Sequence, residues 1–165
     1  MNIDIEEFVK TGTFGSLGTT PTREMVHALL GPSDSDGYPD HDHDHYGNVA
    51  IEFGEKGKAV YRIMIAFAHS LNERYLPSNC DMWPDSRFTF TLGCFAPDAK
   101  FRDIVNQFPN FEHADMVGDF PAQILIYSNR QANVDLCFAP ATHLADHTLY
   151  CIVSHPDSAR ENSAG

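Results

Sequence analysis

Residues 46–67, YGNVAIEFGEKGKAVYRIMIAF, constrain the fold more than any other stretch of this chain. Val49, Ile51 and Phe53 alternate with Ala50 and Glu52, the period of two that puts one side-chain set on one face of a strand. Gly54-Glu55-Lys56-Gly57 supplies turn chemistry, and Tyr61, Ile63, Ile65 and Phe67 then line one face of a second strand. An isolated two-stranded hairpin is marginal in water, so the apolar face of this one demands further strands or a covering helix.

The sequence offers both. Within residues 19–37, Thr20 is placed to cap a helix, Pro21 suits its first turn, and Glu24 follows. Met25, Val26, Leu29 and Leu30 fall on a stripe at helical spacing, and Gly31-Pro32 ends it. IEEFV at 5–9 reads as one more helical turn. The order then recurs. Asp98 is placed to cap a helix carrying Phe101, Ile104, Val105 and Phe108, and Pro109 ends it. A second hairpin joins Ala122–Tyr127 to Asn133–Phe138, and residues 148–155 form a last strand. Helix followed by antiparallel hairpin, twice over, predicts an α+β class: an antiparallel sheet with helices packed on one face, arranged as tandem helix-plus-hairpin units. The expected organisation is a single domain over 1–155, with halves at 1–70 and 88–155, and a flexible tail over 156–165. Alternating βαβ units and a glycine-rich phosphate loop are both missing from the sequence, which argues against a nucleotide-binding fold.

Eleven basic residues stand against twenty-three acidic ones, a formal charge of −12. Such a field repels nucleic acid and anionic lipid and favours a basic protein partner. There is no apolar run long enough to span a bilayer, and the start MNIDIEEFVK lacks the layout of a secretory signal. The expected location is therefore the cytoplasm. There the cysteines at 80, 94, 137 and 151 read as reduced, buried small hydrophobes. Cys94 sits in none of the local motifs of thiol enzymes.

The first half also follows a recognisable pattern. Gly18, Thr20, Glu24, Val26, Leu30, Gly31 and Pro32, followed by Tyr46, Gly47, Val49, Ile51 and Phe53, match it. In this the chain resembles small bacterial proteins that accompany polymorphic toxins as immunity proteins. The likeness covers residues 14–67, about a third of the chain. It implies a protein that binds and neutralises a cognate toxin, and it carries over no catalytic residue. The usual short loop with an aromatic before Tyr-Gly is replaced here by PDHDHDHYG.

That run, residues 39–47, is the densest concentration of potential ligands in the chain. Read as a contact loop, Asp34, Asp36, Asp40, Asp42 and Asp44 present charge to a basic cleft, with Tyr38 and Tyr46 as aromatic anchors. Read as a metal centre, His41, His43 and His45 share one face of an extended segment and suit zinc or nickel. A metal-binding protein or metal-dependent hydrolase is thus the alternative. Two imidazoles at i and i+2 reach one ion while the third does not, so such a site needs a ligand from elsewhere in the chain. A third reading is an adaptor module that dimerises through 148–153 as an exposed edge strand. The expectation taken forward is a binder without catalytic residues or cofactor, inhibiting a toxin with a basic cleft.

Overall fold

The computed structural model describes residues 1–17, 21–34, 43–54, 60–67, 85–95, 99–117, 124–139, 141, 143 and 146–156. In chain order the elements are β1 (Asn2–Asp4), α1 (Ile5–Thr11), α2 (Arg23–Leu30), β2 (His43–Tyr46), β3 (Val49–Phe53), β4 (Val60–Ala66) and β5 (Thr89–Thr91). They continue with α3 (Phe101–Val105), β6 (Glu112–Val117), β7 (Ile124–Asn129), β8 (Val134–Ala139) and β9 (Thr148–Ser154). Seven strands form one antiparallel sheet in the order β2-β3-β4-β9-β8-β7-β6, and β1 pairs with β5 in a small parallel ladder.

The fold is α+β, and its helices pack on one face of the sheet. One apolar cluster joins helix residues Ile5, Phe8, Val26, Leu30, Phe101 and Ile104 to Val49, Ile51, Ile65, Leu125, Leu136 and Ile152 of the strands. A smaller cluster on the opposite face gathers Cys137, Cys151 and Val153. Each of α2 and α3 leads into a three-stranded meander, one strand more than the expected hairpin. The two meanders meet at β9, which pairs with β4 on one side and β8 on the other. Residues 148–153 are therefore the middle of the sheet and not an edge. Their physical signature is the unbroken run Leu149-Tyr150-Cys151-Ile152-Val153, since a strand covered on both faces has no use for alternation.

The helices are too short to persist alone and depend on packing and caps. The Asp4 side chain accepts a hydrogen bond from the Glu7 amide at 3.1 Å and so caps α1. Gly12 closes that helix at φ 73°, its N–H donating to the Phe8 carbonyl at 2.7 Å. A Cβ at position 12 would lie 2.4 Å from the Ala132 carbonyl oxygen, so glycine is also a packing requirement. The cap of α2 is Thr22, whose hydroxyl accepts from the Met25 amide at 3.3 Å, whereas the expected Thr20 lies outside the described residues. Val26 and Leu30 are buried, but Met25 and Leu29 are 57% and 48% exposed. The predicted four-residue stripe is thus narrower, because residues one position apart are rotated by about 100° on a helix. Helix α3 starts after Lys100 with no side-chain cap; Asp98 is outside the described residues.

In the first hairpin the register slips after Glu52: Glu52 opposes Arg62, yet Phe53 opposes Val60. This bulge brings Val60 into the core, fully buried, in phase with Ile63 and Ile65. No helix among the described residues is long and apolar enough to cross a membrane. The tail 157–165 and Cys80 fall outside the described residues.

Candidate functional site

The segment between α2 and β2 begins and ends in well-anchored structure. Asp36, Tyr38, Asp40, His41 and Asp42 lie outside the described residues; Asp34, His43, Asp44, His45 and Tyr46 lie within them. Residues 43–46 form a strand, with His43 and His45 half-buried on one face and Asp44 and Tyr46 buried on the other. The alternation expected for an extended run therefore holds over these four residues. Asp44 and Tyr46 face inward, however, and are internal groups where surface contacts were expected.

Asp44 is 2% exposed and held from α2. Arg23 reaches its carboxylate in bidentate fashion, Nη2 to Oδ1 at 2.7 Å and Nε to the two oxygens at 3.2 and 3.3 Å. His27 Nε2 is 2.7 Å from Oδ2. Arg23 and His27 are four residues apart, hence neighbours on one helix face, and together they close around a single carboxylate. A buried carboxylate is costly unless it is paired and hydrogen-bonded, and this pairing fixes β2 to the helix layer. The Arg23 guanidinium also lies over the Phe53 ring, 5.0 Å from its centroid. The i, i+4 spacing of Arg23 and His27 is visible in the sequence, but not the acid it serves.

Asp34 anchors the other side of the segment. Its Oδ1 accepts from Arg87 Nη2 at 2.7 Å, its Oδ2 from the Gly47 amide at 2.9 Å, and its own amide donates to the His45 carbonyl at 2.8 Å. Burial alone would raise the Asp34 pKa, but the Arg87 and Gly47 hydrogen bonds and the Arg87 charge outweigh it and hold the carboxyl below its ordinary value. The Ser33 hydroxyl bridges the His45 backbone, accepting from its N–H at 3.1 Å and donating to its carbonyl at 3.2 Å. These contacts occupy outward backbone groups of β2, which protects a sheet edge from strand pairing. Arg87 stacks 5.0 Å over the ring centroid of fully buried Tyr46, whose hydroxyl donates to the Gly31 carbonyl at 3.3 Å.

His43 and His45 meet edge to face, ring centroids 4.8 Å apart. Burial first, then the neighbouring His43 charge, pull His45 below the ordinary histidine value, against Asp34, Asp44 and Glu52. Glu52 faces His43 across the β2–β3 ladder and pairs with Arg62. Among the described residues no group of three or more His, Cys, Asp or Glu side chains is arranged to hold a metal ion.

Two other places bear on catalysis. A cleft forms where the end of α1 meets the β7–β8 turn and the end of β9, lined by Thr13, Gln131, Asn133, Ser154 and His155 among others. His155 Nε2 is 3.3 Å from Asp135 Oδ2, and Ser128 donates to Asp135 Oδ1 at 2.5 Å. The Ser128 hydroxyl is thus bonded to the carboxylate and not to the imidazole. Cys94 is half-buried, and burial followed by the charge of Glu6 raises its thiol above the ordinary value, which disfavours the nucleophilic thiolate.

Neither a protein-family model nor a curated protein matches this chain. A solved structure of a DUF4309 family protein from Bacillus subtilis is similar over 82% of this chain and 78% of its own length, at 13% identity and a TM-score of 0.45.

Proposed function

We propose that the chain is a cytoplasmic immunity protein that binds a cognate bacterial toxin and occludes its basic cleft with an acidic surface. The observation that carries this reading is the fate of its cations. Lys10, Arg23, Arg62, Arg87, Arg102 and Arg130 each pair with a carboxylate of the same chain. With these positive groups satisfied internally, the formal charge of −12 is carried as surplus carboxylate. A surplus of one sign steers an oppositely charged partner and accelerates encounter, while a few desolvated anchors hold the complex.

The residues flanking the α2–β2 segment, Asp34 and Asp44, are held by ion pairs within the chain. Asp34 and Asp44 spend their charge on Arg87, Arg23 and His27, so they act as fasteners for the segment. The contact charges of the reading are accordingly Asp36, Asp40 and Asp42, with Tyr38 as the aromatic anchor. The resemblance of residues 14–67 to immunity proteins supports the same role.

The test is to look beside the gene of this chain for a large secreted protein with a variable C-terminal domain, and to co-express that domain with and without this chain. Rescued growth and co-purification of the two proteins are expected. A toxin domain that remains lethal and forms no complex overturns the proposal.

A further inference from the structure

Cys137 and Cys151 stand directly opposite one another in the adjacent strands β8 and β9. They are 8% and 3% exposed and form an apolar cluster with Val153, against Met64, Ile126 and Tyr150, on the face of the sheet opposite the helices. The His155 N–H donates to the Asn133 carbonyl at 2.8 Å in the same register. Moving two residues at a time from that bond, the pair 151–137 falls in the hydrogen-bonded class of antiparallel partners. Partners of that class have Cα atoms about 5.5 Å apart, inside the span of about 4.4–6.8 Å that a disulfide requires and close to its commonest value. Cys94 packs against the other cluster, away from this pair.

We propose that Cys137 and Cys151 are a redox-convertible pair, closing into a cross-strand disulfide by exchange with a low-molecular-weight dialkyl disulfide of the glutathione type. In the folded chain a hydrogen bond with Cys137, together with burial, holds the Cys151 thiol well above the ordinary cysteine range. A protonated, enclosed thiol exchanges slowly, so the reaction belongs to the opened or folding chain and the refolded sheet then shields the product. The Cys137 thiolate attacks one sulfur of the reagent and expels one thiol, leaving a mixed disulfide. The Cys151 sulfur next attacks the Cys137 sulfur and expels the second thiol. Two protein thiols are oxidised, one reagent disulfide is reduced to two thiols, and the two protons leave with them. This chemistry is independent of the proposed toxin binding and responds to the redox poise of the compartment.

The experiment refolds the reduced, full chain from denaturant in buffers of graded oxidised to reduced glutathione. Free thiols are trapped with iodoacetamide and the chain is digested without reductant for mass spectrometry. The expected product is a single linked peptide pair joining Cys137 to Cys151, with Cys94 alkylated. The oxidised form should melt about 6–12 °C above the reduced one, from closing a short loop in a chain of this size. That difference should vanish in Cys137→Ala and in Cys151→Ala and survive in Cys94→Ala. Alkylation of both cysteines at every poise, or linkage of either to another cysteine, overturns the proposal. The linkage map of the unmodified sequence decides the matter even where a variant fails to fold.

Discussion

Replacing Asp44 by alanine probes the junction on which the acidic segment is mounted. The substitution removes a carboxylate that is 2% exposed and leaves Arg23 and His27, 29% and 36% exposed at their side chains, without their partner. Breaking a fully buried ion pair by deleting one member costs about 3–5 kcal/mol. Here both cationic partners retain access to water, which returns part of that cost, and about 2–3 kcal/mol is expected. At roughly 2–4 °C per kcal/mol for a chain of this length, the melting temperature should fall by roughly 4–12 °C. In urea the midpoint should fall with an unchanged slope, because the surface exposed on unfolding is the same. A double-mutant cycle with Arg23→Met isolates the pair, and a coupling of about 1 kcal/mol or more is expected for groups in direct contact. Should Asp44→Ala change stability by less than about 0.5 kcal/mol, the range of an ordinary surface substitution, the carboxylate is not the fastener described above.

Gly12→Ala should cost about 2 kcal/mol or more, since both the positive φ and the 2.4 Å approach to the Ala132 carbonyl oppose a Cβ; thermal melting checks it, and an unchanged melting temperature refutes the close approach. His45 has a folded-state value below its ordinary 6.5, so the unfolded chain takes up the proton first as pH falls. Its contribution is present above about pH 6.5 and is lost on acidification towards the folded value, so stability should drop across that window and drop less in His45→Asn. Asp135 is also held below its ordinary value: burial would raise it, and hydrogen bonds from His155 and Ser128 more than offset this. Its stabilisation is present above the ordinary value of 3.8 and lost as pH falls through the lower folded one, so Asp135→Asn should flatten the acid limb of a stability–pH profile.

The parts of the fold legible in the sequence were those written as side-chain periodicity. Val49, Ile51 and Phe53 announced β3, and Leu125 with Tyr127 announced β7, because one covered face selects alternate residues. Sheet order was less accessible. The apolar run of β9 indicated a strand but gave no neighbours, and its central place arises from pairing not only with the preceding strand β8 but also with β4, remote in sequence. The histidine–aspartate run concealed β2, since local polarity suggests solvent. Asp44 is carried inside by Arg23 and His27, and that compensation is a tertiary event. The burial of Val60 was not legible for a similar reason, as a bulge resets the phase of a strand without marking the sequence. The ladder of β1 with β5 spans three residues on each strand, too short for a periodic signal.

The central proposal is that acidic surplus guides this chain to the basic cleft of a toxin, and the association rate with the toxin domain identified by co-expression tests it most directly. Stopped-flow mixing should be run at about 0.02 and 0.2 M salt, on either side of the point where the Debye length is about 10 Å. The account predicts a rate that falls steeply with salt, and a triple variant Asp36→Lys, Asp40→Lys, Asp42→Lys that binds more slowly and with a weaker salt dependence. A rate that ignores both salt and charge reversal contradicts it.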